Sequence, residues 1–275
     1  MLPGYLLSLR EGIEAALIIG IVLGAVRKIN RAGLTSAIWF GALSAFIVSV
    51  LAAILLTLFG LELEGNAEPI FEGFTMLLAA GILTWMIFWM NQQSRSLKSE
   101  LEAGVNKAAA SKGKQALFWL AFVAVVREGF ELALFLTASV FASSAQQTLL
   151  GSILGLGTAA LLGLTLFAST VRLDLRHFFQ VTGFLLILFA AGLISNSVHE
   201  FNEVNLIPAI IEHIWDVNVI VSDTSNLGQL LKALFGYNGN PSLTQMVAYF
   251  AYLASVFIAL QFTGRKPQTL VRPQA

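Results

Sequence analysis

Apolar residues run through this chain in seven long blocks, separated by polar connectors of uneven length. A helix needs about 20 mostly apolar residues to cross a hydrocarbon core roughly 30 Å thick. The blocks at about 4–26, 34–60, 70–90, 116–141, 149–171, 178–198 and 244–263 meet that length. The pattern predicts an all-α integral membrane protein with seven transmembrane helices in a single domain over residues 1–275. No Gly/Ser linker or low-complexity run marks a second domain. A further apolar stretch at 204–221 is interrupted by Pro208, Glu212, His213 and Asp216. It is read as an external or interfacial helix inside an outer loop of about 199–243. The first block begins close to Met1, but Arg10 and Glu11 interrupt it and no basic segment precedes it. It is therefore taken as a retained span and not a cleaved signal peptide.

Composition agrees with lipid as the solvent. Hydrophobic residues make up 57% of the chain and charged residues 12%, against roughly 25% charged in soluble domains. That excludes an ordinary soluble enzyme. The formal net charge of +0 removes any bulk electrostatic case for nucleic acid. The chain has no cysteine, so disulfides, thiolate metal sites and cysteine nucleophiles are excluded together. Any metal must be held by oxygen or imidazole.

The basic residues orient the spans. Arg27, Lys28, Arg31, Arg95, Lys98, Lys107, Lys112, Lys114, Arg172, Arg176, Arg265, Lys266 and Arg272 all fall in alternate connectors or in the C-terminal tail. They are 13 of the 16 Lys and Arg residues. The opposite connectors hold Lys232 alone, and Arg10 and Arg127 lie inside spans. This distribution places the N-terminus outside and the C-terminus inside.

Residues 9–26 read LREGIEAALIIGIVLGAV and residues 126–143 read VREGFELALFLTASVFAS. An REGxE pentad thus recurs at the same place in spans one and four. FEGFTMLLAAGIL in span three has a weaker echo in VTGFLLILFAAGLI of span six. A three-span offset is odd, so the copies enter the membrane from opposite sides. The expected architecture is an inverted three-plus-three repeat, about 4–90 against about 116–198, followed by a last span at about 244–263. Transporters built this way place substrate at the midplane between the halves.

In an ideal helix each residue advances about 100°. Arg10, Glu11 and Glu14 then share one sector, and so do Arg127, Glu128 and Glu131. Gly12 and Gly129 face away, where a missing side chain allows close packing. Two Arg and four Glu leave an excess of two negative charges near the bilayer centre. Each charge there costs about 2.5–3.5 kcal/mol even on the lenient insertion scale. The imbalance calls for cations, either protons or a metal. Carboxylates without thiols suit a hard ion such as iron, manganese or magnesium. Each Arg is expected to orient one Glu through a two-bond fork. A purely structural staple is the plainer alternative, since buried ion pairs often serve packing.

REGIE at 10–14 and REGFE at 127–131 resemble the paired R-E-x-x-E signature of the oxidase-dependent high-affinity iron permeases, including their bacterial EfeU-type members. FEGFTMLLAAGILTWMIFWM, VHEFNE at 198–203 and LGQLLKALFGYNGNPSL are also similar to that family. The resemblance implies a multi-pass permease of the bacterial inner membrane, with Glu11, Glu14, Glu128 and Glu131 taking part in iron transfer and Arg10 and Arg127 supporting them. Iron would be the transported substrate, with no permanently bound cofactor and no enzymatic activity. It further implies a separate extracytoplasmic partner that oxidises or binds iron. The alternatives are a proton-coupled transporter of another divalent cation and a non-transporting membrane scaffold subunit.

On the outer side, Glu62, Glu64, Glu68 and Glu72 cluster around the second connector. The long outer loop adds His199, Glu200, Glu203, Glu212, His213, Asp216 and Asp223. An acidic mouth concentrates cations, although the positive-inside rule alone also leaves acids outside. His199, Glu200 and Glu203 form an HExxE string at the outer end of span six. Glu203 stands where a zinc protease would have its second His, and no further ligand set is present. The string therefore reads as a solvated helix end or a transient iron site. His177 is read as interfacial on the inner side. Trp85, Trp89 and Trp119 are read as inner-interface anchors. Ser8, Ser44, Ser49, Thr75, Thr84, Thr137, Ser139, Thr182, Ser195 and Asn196 are polar residues inside the spans, mostly at helix contacts.

Overall fold

A computed structural model describes residues 1–29, 32–93, 103–105, 107, 113–168, 175–223 and 225–264. The main helices are α1 (Leu2–Lys28), α2 (Thr35–Leu61), α3 (Ala67–Gln93), α4 (Lys114–Ala142), α5 (Ala145–Ala168), α6 (Leu175–Glu203), α7 (Asn226–Phe235) and α8 (Leu243–Gly264). A single 3-10 turn, Ala32–Leu34, leads into α2. No strand occurs among the described residues. Each of the seven apolar blocks falls on one long helix over its described residues. Most helix ends overrun the blocks by a few residues, because polar first and last turns still continue the backbone hydrogen bonding.

Five of these helices, α2, α3, α5, α6 and α8, are long and apolar enough to cross a membrane. The other two long helices, α1 and α4, span 27 and 29 residues. Each carries more charge along its length than the other five, with an Arg and two Glu near its middle. The charged residues of the REGxE pentads are the cause.

The long helices exchange partners between the two halves of the chain. Helix α1 packs chiefly on α5, and α4 chiefly on α2, while α3 lies against α6. Small residues allow these approaches. A Cβ added at Gly12 would stand 2.6 Å from the Cβ of Ala159 on α5, and one at Gly129 would collide with Ser49 on α2. The two glycines thus play matching parts in the two pentads, as their helical angle predicts. Most of the span hydroxyls are satisfied locally. Ser44, Ser49, Thr84, Thr137 and Thr182 each donate to the carbonyl four residues earlier, the usual way a hydroxyl is tolerated in lipid.

Two apolar clusters flank the pentads. One joins Leu6 and Leu7 of α1 to Phe135, Ala138 and Ala142 of α4, together with Met76, Leu83, Leu186 and Leu193. The other joins Ile19, Val22 and Val26 of α1 to Leu117 and Ala121 of α4, with Ile38 of α2. The start of α1 therefore meets the end of α4 and the reverse, so the two helices run antiparallel with the pentads between the clusters.

The stretch 204–221 is not the helix expected from its apolar content. It runs as turns, with Asn205 and Ile210 at positive φ of 56° and 58°, and Pro208 lacks the N–H that a continuing helix needs. Its backbone pairs instead with the approach to α8. Val217 N–H donates to Gly239 O at 2.9 Å, Ile214 N–H to Pro241 O at 3.1 Å, and Leu243 N–H to Ile211 O at 3.0 Å. The helix in this loop is α7, which begins where Gly228 N–H donates to Ser225 Oγ at 3.0 Å. It ends at Gly236, whose φ of 65° and contact with Gly192 of α6 leave no room for a side chain. Of the basic residues used for orientation, Arg31, Arg95, Lys98, Lys112, Arg172, Arg265, Lys266 and Arg272 lie outside the described residues.

The exchanged packing is testable because the chain has no native cysteine. A Cβ placed on Gly163 of α5 would stand 3.0 Å from Ala16 Cβ of α1, within a small adjustment of the roughly 3.5–4.5 Å a disulfide needs. Ala16→Cys with Gly163→Cys should oxidise readily. It should then hold the two halves together after cleavage at a protease site engineered between residues 94 and 102. Halves that separate under oxidising conditions would overturn the α1–α5 pairing.

Candidate functional site

The pentads occupy the middles of their helices. From the helix bounds, Glu128 is the central residue of α4 and Glu14 lies one residue from the centre of α1. Arg10 and Glu11 are each 1% exposed and Glu128 is 7% exposed. Within each pentad, the Arg contacts the Glu four residues on. Arg10 Nε lies 3.3 Å from Glu14 Oε1, and Arg127 Nε lies 3.2 Å from Glu131 Oε1. The Arg127 contact is one Nε–H donated to one oxygen, so the expected two-bond fork to Glu131 is not formed. Both pairs follow the i, i+4 geometry that stacks such residues on one helix face.

The acids are divided unequally. One oxygen from each of Glu11, Glu128 and Glu131 lies within 4.8 Å of the others. Oxygen ligands stand about 2.0–2.6 Å from hard cations, so opposite ligands are about 4–5 Å apart. Three oxygens at this separation can share one ion. Both oxygens of Glu11 and Oε2 of Glu131 are buried without a hydrogen-bond partner. Buried carboxylate oxygens without donors are costly, and a cation among them would offset that cost. Glu14 is outside this group, held by Arg10. Of the four expected acids, then, the structure gathers three and sets one beside them.

The two arginines differ sharply although their pentads read alike. The Arg10 side chain is 2% exposed and that of Arg127 is 45% exposed. The Arg127 guanidinium centre also lies 5.1 Å from the ring centroid of Trp89 on α3. Sequence reasoning placed Trp89 only as an interface anchor. No local spacing links it to Arg127, because the contact depends on how α3 crosses α4.

Toward the other end of α3, some of the acids expected on the outer side lie near one another. Glu72 and Glu200 each feel the charges of Glu68 and Glu203 and, for Glu200, of Glu72. His199 Nε2 lies 3.5 Å from Glu203 Oε1. This group joins the first turns of α3 to the last turn of α6. Glu62, at the end of α2, and Glu64 are exposed and not part of it. Glu212, His213 and Asp216 are exposed on the loop. Asp223 instead accepts from Gly239 N–H at 2.9 Å and braces the loop. A polar knot around α8 also escaped sequence reasoning. Ser242 Oγ donates to Asn202 Oδ1 at 2.8 Å, and Gln245 Oε1 accepts from Ser242 N–H at 2.9 Å. It is built from residues 40 positions apart, so no motif announces it.

Comparison with known sequences bears on the chemistry. A sequence profile described as the iron permease FTR1 family matches residues 1–266. A ferrous iron permease EfeU of Shigella sonnei is 33% identical over 275 residues, covering 99% of each chain. A ferrous iron permease EfeU of Escherichia coli O157:H7 shows the same identity and coverage. A ferrous iron permease EfeU of Yersinia pestis is 32% identical over 260 residues, 94% of this chain and 92% of that one. No solved structure matches the chain.

The unequal burial of the arginines has a measurable consequence. Removing one partner of a buried ion pair costs about 3–5 kcal/mol, because the other charge is left stranded. The Arg127 pair is less enclosed, with the Arg127 side chain 45% exposed, so its loss strands less buried charge. Arg10→Met should lower thermal stability in detergent far more than Arg127→Met. Equal losses would show that burial does not separate the two pairs.

Proposed function

The chain belongs to the iron permease FTR1 family, and we propose that it imports iron through a mid-membrane carboxylate site formed by Glu11, Glu128 and Glu131. It is a multi-pass membrane protein, and the relatives named above are iron permeases. The observation that carries the finer reading is the buried convergence of three carboxylate oxygens within 4.8 Å at the centres of α1 and α4. An ion there replaces water with fixed oxygens. Glu14 is the next acid along α1 and serves as the acceptor of a second step, released from Arg10 as the ion moves. Arg10 and Arg127 keep the empty site from carrying four uncompensated charges.

In this reading all seven long helices cross the membrane, α1 and α4 included, because their charges are paired within the bundle. Supporting it are the antiparallel course of α1 and α4 and the reciprocal pairing of α1 with α5 and α2 with α4. Both are what an inverted repeat of α1–α3 and α4–α6 produces, with α8 outside the repeat. Glu68, Glu72, Glu200, Glu203 and His199 form the outer mouth, where a separate extracytoplasmic partner that oxidises or binds iron delivers it.

Removal of even an indirect metal contact often weakens affinity 10–100-fold. Glu11→Gln, Glu128→Gln and Glu131→Gln should each weaken equilibrium iron binding by at least about tenfold and depress uptake into liposomes. Glu14→Gln should bind iron like the parent protein yet transport it slowly. Ferrous and ferric iron are compared in the same vesicles, with manganese as a third ion. Full transport by all four variants would make the carboxylates structural, and uptake of manganese without iron would reject iron as the cargo.

Topology is tested separately. Reporters fused at Gly65 and Asn226 should lie outside, and those at Gly104 and the C-terminus inside. A reporter at Asn226 found inside would remove both the span count and the repeat.

A further inference from the structure

We propose that Trp89 is a positioning residue that limits the Arg127 guanidinium to one contact with Glu131, so that a tethered cation does not compete with iron for the remaining carboxylate oxygens. The proposal rests on the three-carboxylate site described above. Arg127 is covalently fixed one residue from Glu128 and four from Glu131, two of the three acids that converge. A guanidinium carries a permanent positive charge and up to five N–H donors. Left free, it is the nearest cation available to fill that site. Arg10 is buried and pairs with Glu14, the acid outside the group.

Arg127 is held by two contacts on different sides. Its Nε–H donates to Glu131 Oε1 at 3.2 Å, and its guanidinium centre lies 5.1 Å from the Trp89 ring centroid. Trp85 stacks on Trp89 with centroids 6.1 Å apart and planes at 24°, which stiffens the platform. The face of an indole attracts a cation without accepting its protons. The aromatic contact therefore restrains the charge without covering a further carboxylate oxygen. Glu131 Oε2 is buried with no hydrogen-bond partner, so the acid keeps one oxygen for an ion while the other steadies the arginine. Helix α3 is thus tied to the pentad on α4 through a side chain that does not itself touch the ion.

The effect should appear as competition. Trp89→Leu removes the π face while keeping an apolar side chain. In liposomes loaded for uptake of ferrous iron, it should raise KM about threefold to tenfold with the maximal rate nearly kept. Trp89→Phe, which restores a face, should recover most of the parent KM. In an Arg127→Met background, Trp89→Leu should have no further effect on KM, because the competing cation is gone. A KM unchanged by Trp89→Leu would overturn the proposal. So would a loss of maximal rate of equal size in both backgrounds, which is what a mere interface anchor gives. The Glu→Gln binding series separates the two levels. If Glu11→Gln and Glu128→Gln bind iron normally, the site itself is wrong. If they lose binding while Trp89→Leu behaves as the parent, only the role of Trp89 fails.

Discussion

Six ionisable side chains gathered at the centres of two helices set the terms for the rest of this fold. An apolar cluster packs along α1 and α4 on each side of them, while the Arg127 side chain stays 45% exposed. Their charges must be satisfied by one another or by a visiting cation. Two arginines against four glutamates leave that balance short. Close helix packing follows from the same demand. Gly12 and Gly129 let α1 and α4 approach α5 and α2 closely.

Identical sequence does not give identical surroundings. The pentads differ by one apolar residue, Ile13 against Phe130, yet Arg10 is enclosed and Arg127 is half open. Ile13 is buried against α5 with Leu9 and Ala159, whereas Phe130 is 48% exposed. The difference lies in the helices packed around each pentad, and α3 contributes an aromatic platform on one side only. One arginine is shut in and the other is partly exposed, so the two pentads are not equivalent.

Much of this architecture was readable from the chain. Long apolar blocks mark helices strongly, because a hydrocarbon core permits little else in so few residues. The pentads announced their chemistry through charge that lipid does not accept casually. Other features left no such mark. The span helices are apolar around most of their circumference, so the sequence does not say which face meets which neighbour. That is why the exchange of partners, the withdrawal of Glu14 by Arg10 and the contact of Trp89 with Arg127 appear only in three dimensions. The stretch 204–221 was misread because apolar content suggested a helix. Pro208 and the backbone pairing with 239–243 outweighed it.

The exchange of helix partners also bears on how the chain is made. Helix α1 is made before its main neighbour, α5, which begins more than a hundred residues behind it. Until α5 and α4 arrive, Arg10, Glu11 and Glu14 have only one another and the insertion machinery as company. The first three helices cannot settle as a finished unit and then wait. At ordinary synthesis rates of about 5–20 residues per second, that interval lasts on the order of ten seconds. Assembly of the bundle is therefore delayed to its second half, and a chain truncated before α5 would carry both pentads but lack the helix that chiefly covers α1.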